Sequence, residues 1–167
     1  MAILRKTEII SIPESLMVGI EVVNGGKQNP VPVLWKKLLE NNTLDTMSQN
    51  DTILDMYVGW MGDYNPQNGT FKYLAGYIMP LGYDIPKGFS YRQISTSNIG
   101  IAEIEISNSN RNVFSQLHDM TVAGIHQQGY EPDYTFGWSA EAYPFDLAFE
   151  ATSGILHYIC PCKKSEE

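Results

Sequence analysis

One carboxylate, Glu141, stands in the run Phe136-Gly137-Trp138-Ser139-Ala140-Glu141-Ala142-Tyr143-Pro144-Phe145, among four aromatic residues. A charge buried among aromatics and left unpaired is costly. It is useful when its partner is a ligand, above all a cationic or strongly polarised one. Aromatic faces attract cations by roughly 0.5–2 kcal/mol per contact, and a desolvated carboxylate adds charge pairing that a neutral ligand cannot match. Apolar walls also raise the pKa of such a group, so the same residue could act as a general acid or base. Against this stands a plainer reading, a glutamate on the wet face of an edge strand.

The segment has strand character from Tyr134 to Tyr143. Alternation then places Gly137, Ser139, Glu141 and Tyr143 on one face and Trp138, Ala140 and Ala142 on the other. In a second strand, Asp55, Tyr57 and Gly59 share a face opposite Met56, Val58 and Trp60. Periodicity does not decide which faces meet a ligand, because both carry aromatics. The candidate ligand-binding set is Glu141, Tyr57, Trp60, Tyr77, Trp138 and Tyr143. If the chemistry is hydrolytic, Glu141 and Tyr57 are the residues to assist water. Trp35 is expected in the core. Glu103 and Glu105 alternate with Ile104 and Ile106 as a solvated strand face, with Glu105 the alternative central carboxylate.

The positioning elements come in two similar sets. Thr7 to Val23 reads as strand, turn at Pro13-Glu14-Ser15, strand. Pro30 to Glu40 reads as a helix, with proline tolerated at its start and Leu34, Trp35, Leu38 and Leu39 as an apolar stripe. Thr52 to Trp60 and Phe71 to Met79 read as a hairpin about the turn cluster Gly62 to Gly69. The order then recurs. Ser90 to Ser107 is a strand pair, and Asn110 to Gln128 is a helix capped by Ser109 or Asn110 and stopped at Gly129. Phe114, Leu117, Thr121 and Ile125 form its inner side, and Tyr134 to Tyr143 and Gly154 to Cys162 are the last strands. A shift of about 84 residues superimposes the halves, setting Ile10 on Ile94 and Tyr57 on Glu141. Tyr57 and Glu141 would then flank a pseudo-twofold axis, and a cleft between such halves is a natural small-molecule site.

The 167 residues suit one domain. With 11 lysines and arginines against 19 aspartates and glutamates, the formal charge is −8. No basic stripe is present, so direct nucleic-acid binding is not expected; a negative field favours cationic ligands. No apolar run approaches a membrane span, the N-terminus lacks the layout of a signal peptide, and a cytoplasmic location is the expectation. Cys160 and Cys162 flank Pro161 and are expected as packed strand residues. No metal site is expected, since His118, His126 and His157 lack ligand spacing. No phosphate loop, dinucleotide fingerprint or nucleophile elbow occurs, so no cofactor is expected.

Tyr73-Leu-Ala-Gly-Tyr-Ile-Met-Pro, followed by Tyr83-Asp-Ile-Pro-Lys-Gly-Phe-Ser-Tyr-Arg-Gln-Ile, resembles a strand and connector of the GyrI-like family. That family includes effector-binding domains of AraC-type and MerR-type multidrug regulators. Glu141-Ala-Tyr143 is similar to its "E-x-Y" strand, and Ile155-Leu-His-Tyr-Ile-Cys-Pro-Cys to its final strand. The resemblance runs from about Thr7 to Cys162, in elements more specific in their order than singly. It implies an α+β fold, a duplicated β-α-β-β pseudo-twofold repeat whose curved antiparallel sheet is backed by two helices, with a ligand cleft on the other face. Residues 1–167 would form a single effector-binding domain with repeats of about 1–83 and 84–167. The function implied is that of a stand-alone binding protein for amphipathic or cationic drug-like molecules, with Glu141 central. Two alternatives follow from the same family: a hydrolase of strained electrophiles, and a protein-interaction or inhibitor module with a partner unknown. The chain has no helix-turn-helix region, which separates it from the DNA-binding regulators.

Overall fold

The computed structural model describes residues 2–26, 29–45, 51–106, 114–144 and 154–166. Among these residues the fold is α+β: a nine-stranded sheet with two helices on one face. The strands are β1 (Ala2–Ile12), β2 (Ser15–Asn24), β3 (Met56–Asn65), β4 (Thr70–Pro80), β5 (Ser90–Ile94), β6 (Ser97–Ile106), β7 (Tyr130–Pro132), β8 (Trp138–Pro144) and β9 (Gly154–Lys164). The helices are α1 (Val31–Glu40) and α2 (Phe114–Gln127). All pairings are antiparallel.

The strand order is β1-β6-β9-β8-β3-β4-β2-β5, with the short β7 added on β9. It reads the same from either end once each strand is replaced by its counterpart in the other half, so β3 and β8 meet at the seam. Each half sends its first strand to the far edge of the other: β1 pairs with β6, and β5 with β2. Strand starts align Ser15 with Ser97, and strand ends align Ile12 with Ile94, not Ile10 with Ile94. Val18 pairs with Tyr77 as Gly100 pairs with Cys160. Two residues back on those strands, Ala75 pairs with Gly59 and Tyr158 with Glu141. The counterpart of Glu141 is therefore Gly59, and the expected match with Tyr57 is corrected. Gly59 and Glu141 also pair with each other, so the pseudo-twofold axis passes between them.

The two faces of the sheet differ. One face gathers Ile12, Met17, Val58, Trp60, Leu74, Ile78, Ile94, Ile99, Ile101 and Ile159 into a single core. Strands far apart in the sheet contribute to that core, so the sheet curls toward this face. Arg92 reaches across it from β5, donating to Asp63 at 2.9 Å and Glu21 at 2.6 Å, with its guanidinium 5.6 Å from the Trp60 ring centre. The other face carries the helices. Val31, Leu34, Trp35 and Leu38 of α1 recur at helical spacing and pack on Tyr73, Ala75 and Tyr77. Proline in the first turn and Lys37 in the last suit the ends of α1. On α2, Leu117, Thr121 and Ile125 are buried as expected; the expected cap at Ser109 or Asn110 lies outside the described residues.

The strand expected from Tyr134 begins later. Asp133 accepts from the Thr135 amide at 3.1 Å, and Gly137 takes a left-handed conformation with φ 74°. Together they form a 3-10 turn at Tyr134–Phe136, and β8 starts at Trp138.

Candidate functional site

Glu141 is 1% exposed at the middle of the seam. Its face is the helix-bearing one, whereas the expectation put the ligand cleft on the face away from the helices. The reason lies in the curl: aliphatic side chains fill the other face. Tyr143 and Met61 pack against the clusters under both α1 and α2, so the carboxylate stands between the two helices.

Gly59, directly opposite Glu141, leaves room that a side chain would fill. A Cβ there would come within 1.9 Å of the Tyr73 hydroxyl and 3.0 Å of Glu141 Cγ. Through this gap Tyr73, reaching across β3 from β4, donates a hydrogen bond to Glu141 Oε1. The same hydroxyl accepts from Trp35 Nε1 of α1 at 2.7 Å. Tyr143 supplies a further side-chain hydrogen bond to the carboxylate. Trp35 meets Tyr57 and Tyr143 edge to face, each with ring centres 6.0 Å apart, and Tyr57 lies 5.6 Å from Tyr77. An indole and four tyrosines thus gather about one carboxylate.

Burial raises the Glu141 pKa to about 6, against the pull of the Tyr73 and Tyr143 hydrogen bonds. Burial and the adjacent carboxylate push both tyrosines well above the usual phenol range, so they remain donors. Among the described residues no lysine or arginine pairs with Glu141. Its alternative, Glu105, forms a surface ion pair with Arg5.

Of the residues expected at a site, the fold brings together Glu141, Tyr57, Tyr77 and Tyr143. Trp60 and Trp138 do not join them; they pack on the opposite face. Two members were missed, Trp35 and Tyr73. Tyr73 and Tyr77 share a face by alternation in one strand, a signal available in the sequence. Trp35 looks like any other member of an apolar helical stripe, so nothing in its spacing announced it. Among the described residues no group of histidine, cysteine or acidic side chains is arranged to hold a metal. Among the described residues no helix is long and apolar enough to cross a membrane.

A second polar group lies beside this one. Tyr158, paired with Glu141 across β8–β9, donates to Ser139 Oγ at 3.3 Å. Its hydroxyl is 3.0 Å from His118 Nδ1, and His118 Nε2 is 3.0 Å from the Tyr134 hydroxyl. Burial lowers the His118 pKa, which favours the neutral ring.

No sequence-family model matches the chain, and no curated protein matches it by sequence. Solved structures do. SAV2435 bound to tetraphenylphosphonium superposes with TM-score 0.63 at 16% identity, over 95% of this chain and 94% of that one. A Staphylococcus aureus MU50 protein described as a transcription regulation protein gives 0.62 at 14% identity, over 95% and 98%. The C-terminal domain of EcmrR gives 0.54 at 11% identity, over 96% and 98%. The fold is that of the GyrI-like effector-binding domains. In this GyrI-like fold the seam between the halves holds Glu141, and both helices flank it.

Proposed function

We propose that the protein binds amphipathic small molecules carrying one positive charge, with Glu141 as counter-charge and Trp35, Tyr57, Tyr73, Tyr77 and Tyr143 as the surrounding cage. The observation that carries this reading is a buried carboxylate supported by tyrosine hydroxyls and aromatic rings and, among the described residues, by no cationic side chain. A structural ion pair would have had its partner built in. The likeness to SAV2435 bound to tetraphenylphosphonium, a lipophilic cation, supports the same chemistry. Access to Glu141 requires ring contacts to part. Each is worth roughly 0.5–1.5 kcal/mol, less than a desolvated charge pair returns.

The test is titration with tetraphenylphosphonium or a planar cationic dye, followed by tryptophan fluorescence. Glu141→Gln is expected to weaken binding by ~10–100-fold. Unchanged affinity in that variant would remove Glu141 from the centre of the site.

A second reading has its own observation. A carboxyl group with a pKa of about 6 beside two tyrosine hydroxyls is equipped to move a proton near neutral pH, as a hydrolase of strained electrophiles needs. Multiple turnover of such a compound, lost in Glu141→Gln, separates hydrolysis from one-to-one binding. The aromatic cage favours either small-molecule reading over a protein-interaction module.

A further inference from the structure

A hollow of about 310 Å³ opens at the end of the β3–β8 seam, lined by Met61, Gly62, Tyr64, Phe71, Tyr134, Gly137, Trp138 and Ser139. Its walls are aromatic, and its floor depends on glycine. A Cβ on Gly62 would strike the Trp60 ring at 2.4 Å and approach the Gly137 carbonyl at 3.1 Å. Tyr134 is 67% exposed, yet it is held in place. His118 Nε2 lies 3.0 Å from its hydroxyl, and the two ring centres are 5.9 Å apart. Ser139 is fixed from behind by Tyr158. A wall anchored in this way is preorganised to receive a flat group.

The hollow lies next to the Glu141 cage along the seam, with Met61 between them. Met61 and Ser139 pair across the seam one step beyond Gly59 and Glu141 on the same face, a rise of roughly 6.6–6.8 Å along the strand. Met61 stands at the junction, and an unbranched thioether side chain adapts readily to a neighbour. A dry cavity of roughly 150 Å³ takes up benzene, so this hollow has space for an aryl group.

We propose that the hollow is the outer chamber of the Glu141 site, and that the ligand is a two-part molecule, a monocationic head for Glu141 joined to an aryl arm lying among Phe71, Tyr134 and Trp138. This rests on the reading of Glu141 as a cation site.

The experiment is calorimetric titration with tetramethylammonium and a series of phenylalkyltrimethylammonium ions of increasing linker length. In the wild-type protein the affinity is expected to step up by ~tenfold or more at the linker that places the ring in the hollow. Phe71→Ala and Tyr134→Ala, on different elements, should each abolish that step and leave tetramethylammonium binding within ~twofold. A thermal melt on each variant checks that it is folded. A smooth rise with linker length that both variants share overturns the chamber while the cation site stands. A wild-type protein that binds no member of the series overturns both readings. Loss of tetramethylammonium binding in both folded variants also overturns the chamber, because the two parts would not be separable.

Discussion

Gly59 lies directly across the seam from Glu141, and the hydroxyl of Tyr73 occupies the space its missing side chain leaves. Gly59→Ala therefore sets a methyl group against the Tyr73–Glu141 hydrogen bond. Overpacking of this kind costs about 1–3 kcal/mol, and the variant is expected to lose that much stability in urea unfolding. It should also weaken cation binding, since the carboxylate would lose a positioned donor.

Glu141→Gln should make the protein more stable at alkaline pH. The folded-state pKa of about 6 lies above the ordinary 4.5. The stability linked to the bound proton is thus complete below pH 4.5 and lost as pH rises through 6. At pH 8 the wild type bears a penalty of about 2 kcal/mol that glutamine does not. Melting curves are expected to place the variant roughly 4–8 °C higher at pH 8, and the two proteins should converge in acid.

Ligand binding should follow the opposite course. A cation pairs with the ionised form, and at pH 5 only about a tenth of the unliganded carboxyl groups are ionised. Apparent affinity is expected to fall about tenfold between pH 7 and pH 5. Titrations at several pH values with a fixed-charge cation measure this, and a flat profile would speak against an ionised Glu141 in the complex.

Tyr73→Phe removes a hydroxyl that both donates and accepts. Trp35 Nε1 and Glu141 each lose a buried partner, and about 1–3 kcal/mol of stability should go with them. With one hydrogen bond fewer to the charged form, the Glu141 pKa should rise further, which carboxyl titration by NMR can follow.

Trp35 is expected to report ligand binding, while Trp60 stays silent. Fluorescence quenching by a bound dye should persist in Trp60→Phe and disappear or weaken strongly in Trp35→Phe. Quenching that depends on Trp60 would move the site to the other face of the sheet.

Much of this architecture was legible in the sequence. Alternation gave the strands around Tyr57, Tyr73 and Glu141, and the stripe Leu34, Trp35, Leu38 gave α1. The 84-residue shift read from the sequence sets the halves two residues out of step with the pairing registers. A slip of two keeps every side chain on its face, so periodicity cannot tell Tyr57 from Gly59 as the counterpart of Glu141; only pairing registers can. The 3-10 turn at Tyr134–Phe136 was hidden because its two aromatic residues suit a strand equally well. The choice of face was beyond local pattern altogether. It depends on the curl of the sheet, a property of all the strands together.

The exchange of first strands reaches beyond topology. A chain severed between the halves would leave β1 without β6 and β2 without β5, each segment holding what the other needs. The seam that carries Glu141 is thereby secured from its two remote borders as well as by its own ladder. Swinging the halves apart like a book would mean unzipping both borders in concert. A guest would therefore gain admission by the rotation of a few rings, and its dwell time would be governed by how fast those rings turn.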